Sequence, residues 1–456
     1  MTNEKTDPKH LILLFKTPPA TLYPMPTLKR QLGLLSCTLL VAGNMIGIGI
    51  FVTAGRITTL LPHPGLILTA WVIGGLLSIA GGLAYAELAT RFPRAGGGYI
   101  YLREAFGPMM GFLSGFSASM ITIPGTAAFL AMGFARYAGI TDPWLAKGIG
   151  ISLILSISYI NHRGLLKGAI LQDTFMLLKL ALIAALIIAG FGFGTGAWAH
   201  FHTHLALSHS VLIALPLALV PIMYTYAGWD ATVYMAQEVI HPKRTIPLSM
   251  ILGASLVTGI YLLLATLYLY GIPVTQTANT GRIVTAVSSA LFNPAIGTIV
   301  GSLVAVSVLG CLSATILTGP RVIYAMAKDR LLPRFADGIH PKYATPSNAI
   351  WFHGIWACVL LLSGTFDQLL DYITVPSVLF GAINVIGLIV IRRKNAMDPG
   401  ADPYRMWGYP IIPLLFIVMM LGIVVITAIH DPMNSLWGLA MLALGIPIYM
   451  INRLFL

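Results

Sequence analysis

Apolar residues do not alternate with polar ones along this chain; they gather in long unbroken blocks separated by short polar, Gly/Pro-punctuated connections. Blocks of this length, each near the ~20 residues an apolar helix needs to cross a bilayer, fall at 33–61, 65–90, 99–137, 144–161, 165–191, 211–239, 246–271, 295–327, 347–364, 367–391, 410–429 and 435–455. The pattern predicts an all-α polytopic membrane protein with twelve transmembrane helices. Residues 1–30 form an N-terminal tail, 31–191 a first group of five spans, 211–394 a second group of five, and 408–456 the last two helices.

Composition sharpens this picture. Hydrophobic residues make up 57% of the 456 and charged residues 9%, against roughly 25% charged in soluble chains. The mean hydropathy of +0.85 makes lipid, not water, the solvent. The net charge of +12 does not indicate nucleic acid, because the basic residues sit in short connections rather than along one stripe. They do orient the chain. Arg56, Arg136, Lys147 and Arg282 fall toward one face, and Lys179 and Arg321 lie within spans. Most of the 27 Lys and Arg, including Lys29, Arg30, Arg163, Lys167, Lys243, Arg244, Arg392 and Arg405, fall toward the other. That face reads as cytoplasmic, with both termini on it. No cleavable leader is evident, and the first span is expected to serve as the insertion signal. The expected location is a cell inner membrane.

Two segments break the helical pattern. The first span contains Gly43-Asn44-Met45-Ile46-Gly47-Ile48-Gly49-Ile50-Phe51, and the sixth contains Pro221 followed by Tyr224-Thr225-Tyr226-Ala227-Gly228-Trp229-Asp230. Each opens a block of five spans. Paired Gly/Pro-interrupted helices at matching positions of two halves point to a transporter binding site, since unwound backbone in a bilayer must line a cavity or be buried in protein. Freed amides ahead of a half-helix can hold a carboxylate; freed carbonyls can hold an ammonium. Together they fit the two charges every α-amino acid carries. Glycines that merely let helices approach closely are the bland alternative.

Lys179 stands inside the fifth span, where an ammonium costs about 2.5–3.5 kcal/mol on insertion scales. Its simplest role is a tethered cation tying helix 5 to helices 1 and 8, with Ser313 as a hydroxyl neighbour; a desolvated lysine could also serve proton coupling. Asp230 is expected to cap the second half of helix 6 or to touch a cationic substrate. Glu87 is expected to pair with Arg91 or Arg94, and Arg321 and Asp329 to form an inner gate with Glu87 or Glu238. The third span offers Ser117, Met120 and Ile121 but no carboxylate, which favours a neutral substrate. Cys37, Cys311 and Cys358 lie in apolar segments with no metal-type spacing. The tract 192–210 holds His200, His202, His204 and His209 without acidic or Cys partners, so neither metal nor cofactor is expected. No nucleophile–base constellation suggests an enzyme. A non-transporting nutrient receptor would usually add a soluble signalling tail, and none is expected after the last span at 435–455.

Four stretches carry a family resemblance: Ile46-Gly47-Ile48-Gly49-Ile50-Phe51; Ala84-Tyr85-Ala86-Glu87-Leu88 running on to Phe92-Pro93-Arg94-Ala95-Gly96-Gly97-Gly98-Tyr99; Tyr226-Ala227-Gly228-Trp229-Asp230 with Glu238-Val239 and Pro242-Lys243-Arg244; and Gly319-Pro320-Arg321-Val322-Ile323-Tyr324-Ala325-Met326-Ala327-Lys328-Asp329-Arg330 with His340-Pro341 and Thr345-Pro346. In this order the chain resembles the amino acid–polyamine–organocation permeases. The resemblance implies a leucine-transporter-type fold of two inverted five-helix repeats, with helices 1 and 6 unwound at mid-membrane. It implies a substrate carboxylate on the amides of Gly47, Ile48 and Gly49, and an amino group on the carbonyls of Met45, Tyr224, Thr225 and Ala227 beside Gly228. Tyr224 would be the aromatic gate. Ile48 departs from the small Ser, Thr or Ala usual there. Sodium-independent members carry a lysine at the position of Lys179. Light chains of the family have an external Cys between helices 3 and 4; residues 139–142 have none, so no disulfide-linked subunit is expected. The implied activity is sodium-independent uptake or exchange of L-amino acids, with proton-coupled or exchange transport of cationic amino acids or polyamines as the alternative.

Overall fold

A computed structural model describes residues 28–202, 209–277, 282–364, 366–430 and 432–455. Among them the chain is helical, with a single isolated bridge between Leu32 and Val239. The elements run α1 (Leu34–Met45), α2 (Gly49–Leu60), α3 (Pro64–Arg91), α4 (Gly98–Phe106), α5 (Pro108–Phe116), a π-helical turn Ser117–Thr122, α6 (Ile123–Tyr137), α7 (Pro143–His162) and α8 (Leu165–Phe193). They continue with α9 (His209–Thr225), α10 (Ala231–Tyr234), α11 (Pro242–Gly271), α12 (Val274–Thr277), α13 (Ile283–Leu291), α14 (Pro294–Thr318), α15 (Pro320–Lys328), α16 (Ser347–Ser363), α17 (Phe366–Lys394), α18 (Ile411–His430) and α19 (Pro432–Phe455).

Eight helices among the described residues are long and apolar enough to cross a membrane, or nine when α1 and α2 count as one span bent by 47°. Three shorter apolar helices, Ala214–Thr225, Ser347–Ser363 and Leu436–Ile451, stand where the sequence places its sixth, ninth and twelfth spans. Side chains such as Ile188, Val418 and Ile429 are 65–71% exposed, an apolar belt that lipid solvates and water does not.

One boundary differs from the sequence expectation. The block 99–137 is not one helix: Gly107 turns the chain at φ +96° and Pro108 starts α5 afresh, because proline cannot donate into the preceding turn and glycine alone tolerates that φ. The block 295–327 runs on through Gly319-Pro320: Gly319 keeps helical backbone and donates to Thr315 O, so α14 and α15 make one membrane-length helix that lacks only the proline's donor. The turn at Gly107 makes α4 a separate helix lying beside the ends of α5 and α17.

Candidate functional site

The first break follows from its glycines. Ile46 N donates to Ala42 O and closes α1, but Gly47 N turns back to Met45 O (2.8 Å) instead of reaching Gly43 O. The carbonyl of Gly43 thereby loses its helical donor. Lys179 from α8 fills that place. Its fully buried ammonium donates to Gly43 O at 3.3 Å and to Ile46 O. On the other side of the break, the amides of Ile48 and Gly49 find no backbone acceptor among the described residues, as the first donors of any helix must. Ile48 itself is buried, its side chain part of the core. Ser313 does not pair with Lys179: its buried hydroxyl has no hydrogen-bond partner. Helix α14 meets the lysine at Gly310 instead, where a Cβ would lie 3.4 Å from Nζ.

The second break packs directly onto the first. After Thr225 the chain leaves α9, passes through Gly228 at φ +103°, and resumes in the four-residue α10. A Cβ on Gly228 would sit 2.9 Å from the carbonyl carbon and oxygen of Asn44, and one on Gly49 would sit 3.0 Å from Thr225 Cα. The glycines are therefore the points of closest approach between the two interrupted helices. Hydroxyls complete the joint. Thr53 Oγ1 meets Thr225 Oγ1 at 2.8 Å. Tyr261 from α11 points its hydroxyl at both Met45 O (2.8 Å) and Thr225 O (3.0 Å).

Tyr261 was not among the sequence candidates, yet it faces two of the four carbonyls expected to receive an amino group. A third, Tyr224 O, accepts from Ala227 N at 3.1 Å. Tyr224 is half-buried, and its ring stands edge-on to Phe129 with centroids 6.3 Å apart. Asn44 is held between the halves, its Oδ1 accepting from Thr315 at 3.2 Å and its carbonyl from Cys311 Sγ at 3.2 Å.

A cavity of about 220 Å3 adjoins the breaks. Asn44, Ser117, Ala227, Gly228, Asp230 and Asn384 are among the residues that line it, and it extends to Gly98 and Tyr99 of α4. Of the expected site residues it therefore gathers Ala227 and Gly228; Gly47, Ile48 and Gly49 are set back, with Gly47 packed on Cys311 and Gly49 on Thr225. Asp230 does not cap α10. Its backbone stands at φ −89°, ψ 5° rather than in the extended region a cap requires, and its carboxylate instead accepts from Tyr234 Oη at 3.1 Å.

Ion pairs cluster at one end of the bundle. Arg321 grips Glu238 with two 3.0 Å hydrogen bonds, both side chains 1% exposed. Glu238 O also accepts from Gln31 N and Leu32 N, so the approach to α1, the end of helix 6 and the start of α15 are joined. Glu87 is shared by Arg91, Arg392 and Met406 N. Asp329 is held by Arg103 and Tyr99. Of the two partners expected for Glu87, Arg91 pairs with it, while Arg94 joins Glu104 and Asp398. Arg321 meets Glu238, one of its two expected partners, and Asp329 joins Arg103.

Among the described residues no group of three or more His, Cys, Asp or Glu could hold a metal ion. His200 Nδ1 lies 3.1 Å from Tyr270 O; His204 lies outside the described residues. Cys37, Cys311 and Cys358 are buried free thiols.

Comparison with known proteins places this geometry. Residues 32–451 match the family model described as amino acid permease. The chain is 29% identical over 429 residues to the serine/threonine exchanger SteT of Bacillus subtilis (strain 168), covering 92% of this chain and 96% of that one. It is 28% identical over 416 residues to the human b(0,+)-type amino acid transporter 1, covering 89% and 84%. It is 28% identical over 436 residues to the human cystine/glutamate transporter, covering 92% and 85%.

Proposed function

The chain belongs to the amino acid permease family, a multi-pass membrane protein that transports amino acids and is not an enzyme, and from that premise we propose sodium-independent uptake or exchange of L-amino acids by alternating access. The observation that carries the reading is the meeting of the two interrupted helices, with Gly49 against Thr225 and Gly228 against Asn44. Unpartnered amides of Ile48 and Gly49 stand on one side and the carbonyl of Ala227 on the other. The α-carboxylate goes to the former and the α-amino group to the latter, with the Met45 and Thr225 carbonyls available when Tyr261 turns its single proton to one of them. Tyr224 covers the site. Residues 31–191 and 211–394 act as the two inverted repeats, twelve spans in all, and the end bearing Arg321 and Glu238 is cytoplasmic.

Sodium independence rests on Lys179. Its ammonium already occupies the Gly43 and Ile46 carbonyls at the first break, so a bound metal cation would have to displace a tethered one. With all three thiols buried, the protein works without a disulfide-linked subunit, in the cell membrane. Purified protein in liposomes is expected to take up a labelled L-amino acid with no sodium on either side. Failure across the twenty common amino acids would refute the transport reading, and a strict sodium requirement would refute the role given to Lys179.

A further inference from the structure

The cavity beside the breaks is chemically one-sided. Among the described residues that line it, Asp230 is the one carboxylate, and there is no Lys, Arg or His. Its carboxylate accepts from the Tyr234 hydroxyl. Two further polar atoms belong to lining residues and have no hydrogen-bond partner. Asn384 Oδ1 is one; the side chain is 3% exposed, and its amide nitrogen is committed to Phe380 O at 2.8 Å, which fixes the oxygen as the free end. Ser117 Oγ, on a side chain 1% exposed at the start of the π-helical turn, is the other. The basic residues nearest this end of the bundle are engaged elsewhere: Arg321 with Glu238, Arg91 and Arg392 with Glu87, and Arg103 with Asp329.

Asp230 is half-buried, and a carboxylate that loses water without gaining a cation is costly. The described lining carries one negative charge and no cationic side chain to balance it. Ala227 and Gly228 of the second break line the same cavity as Asp230, so a ligand whose amino group meets the Ala227 carbonyl has that carboxylate on the same cavity wall. We propose that Asp230, with Asn384 and Ser117, forms a subsite for a side-chain ammonium or guanidinium, making cationic L-amino acids the preferred substrates. The inference rests on the transport reading above and names its substrate class. The expectation of a neutral substrate came from the absence of a carboxylate on the third span; the carboxylate enters from the sixth.

L-Lysine and L-norleucine differ at the end of nearly isosteric chains by the ammonium group, so their competition isolates the subsite. In proteoliposomes the parent is expected to half-saturate with L-lysine at a concentration at least about tenfold below that for L-norleucine, the usual worth of a hydrogen bond to a charged group. Asp230→Asn is expected to shrink that ratio by about tenfold or more, and Asp230→Glu to retain most of it. A parent that carries norleucine as well as lysine, or an Asp230→Asn protein with an unchanged ratio, overturns the proposal. Should Asp230→Asn fail to fold, the parent's own lysine-to-norleucine ratio decides. Cadaverine, lysine without its carboxylate, is expected to compete poorly; competition equal to lysine would overturn the amino-acid form of the proposal. Transport of neutral but not cationic amino acids would sink the subsite alone, whereas no amino acid transport at all would sink the underlying reading.

Discussion

Gly228→Ala tests whether the two interrupted helices are locked to each other by a glycine that nothing else can replace. Two costs add. The residue lies at φ +103°, where a Cβ collides with its own backbone at a cost of about 1–2 kcal/mol. That Cβ would also stand 2.9 Å from Asn44 C and O. These are backbone atoms of the last turn of α1, just before the first break, and the Asn44 carbonyl accepts from Cys311 Sγ. A flexible side chain could swing away; this backbone cannot, and overpacking of this sort costs about 1–3 kcal/mol. The sum is about 2–5 kcal/mol. Gly148→Ala is the matched control: it lies in α7, and a methyl group added there would meet nothing within 4 Å, so the same change should be neutral or gain up to ~1 kcal/mol from helix propensity. Thermal unfolding of the purified proteins in one detergent, alongside equilibrium binding of a radiolabelled substrate, separates the two. The Gly228 variant is expected to melt well below the parent and to lose substrate binding, and the Gly148 variant to do neither. Equal melting and equal affinity in the two variants would show that the breaks are not in fixed contact.

Three further outcomes are expected. Lys179→Met orphans the Gly43 and Ile46 carbonyls, at about 1–3 kcal/mol each, but relieves the ~2.5–3.5 kcal/mol of holding an ammonium in the membrane. Stability should therefore change little while transport falls at least about tenfold; parental transport rates in liposomes would refute the tether. Arg321→Met leaves Glu238 buried and unpaired and should cost about 3–5 kcal/mol, most of which a second change, Glu238→Leu, should recover; a double-mutant cycle on melting temperature reads this. Glu104, outside the spans, is opposed by partial burial but drawn below the ordinary carboxylate value by Arg103 and Arg94. Its stabilising contribution is complete above the unfolded value, near 4.5, and disappears as pH falls through the lower folded value. Glu104→Gln should flatten the acid side of a melting-temperature profile, and an unaltered profile would show the pairs to be idle.

The helical class, the apolar blocks and the positions where the chain leaves the helix near Gly47 and Gly228 were legible because each has a local signature. Apolar length marks a span, and Gly-x-Gly or Pro with Gly marks a place where the backbone must leave the helix. Lys179 was legible as an anomaly of charge in an apolar block, and its carbonyl partners follow from the break in another helix. What stayed hidden depends on which helix faces which. Tyr261 looks like one more aromatic in an apolar span; only the crossing of α11 over α1 puts its hydroxyl between Met45 and Thr225. Asp230 was legible as either a cap or a substrate contact, and only the turn at Gly228, two residues before it, shows that it lines the cavity. Ser313 looks like a partner for Lys179 by register, but α14 approaches through Gly310, and the hydroxyl is left aside.

The break in helix 1 is held by donors from two different helices, and that division has a mechanical consequence. Lys179 on α8 supplies the carbonyls of Gly43 and Ile46, while Tyr261 on α11 supplies Met45 and reaches across to Thr225 of helix 6. The tyrosine thus ties the two interrupted helices to each other, and the lysine ties one of them to the surrounding bundle. At the basic end the same pattern recurs: the Glu238 carbonyl binds Gln31 and Leu32 within the interrupted pair, while its carboxylate binds Arg321 outside it. Motion of helices 1 and 6 as a unit would keep the Thr53–Thr225 and Leu32–Val239 contacts and strain those of Lys179, Arg321 and, unless α11 moves with the pair, Tyr261. Breaking a buried arginine–carboxylate pair outright costs about 3–5 kcal/mol, enough to hold a state that lacks it to a small minority. A ligand that brings its own cation to Asp230 and its own carboxylate to the Ile48 and Gly49 amides can offset such a cost by new charged hydrogen bonds. An empty site cannot. Under the transport reading proposed above, coupling of this kind would favour exchange, in which the protein crosses the barrier loaded in both directions, over uptake with an empty return.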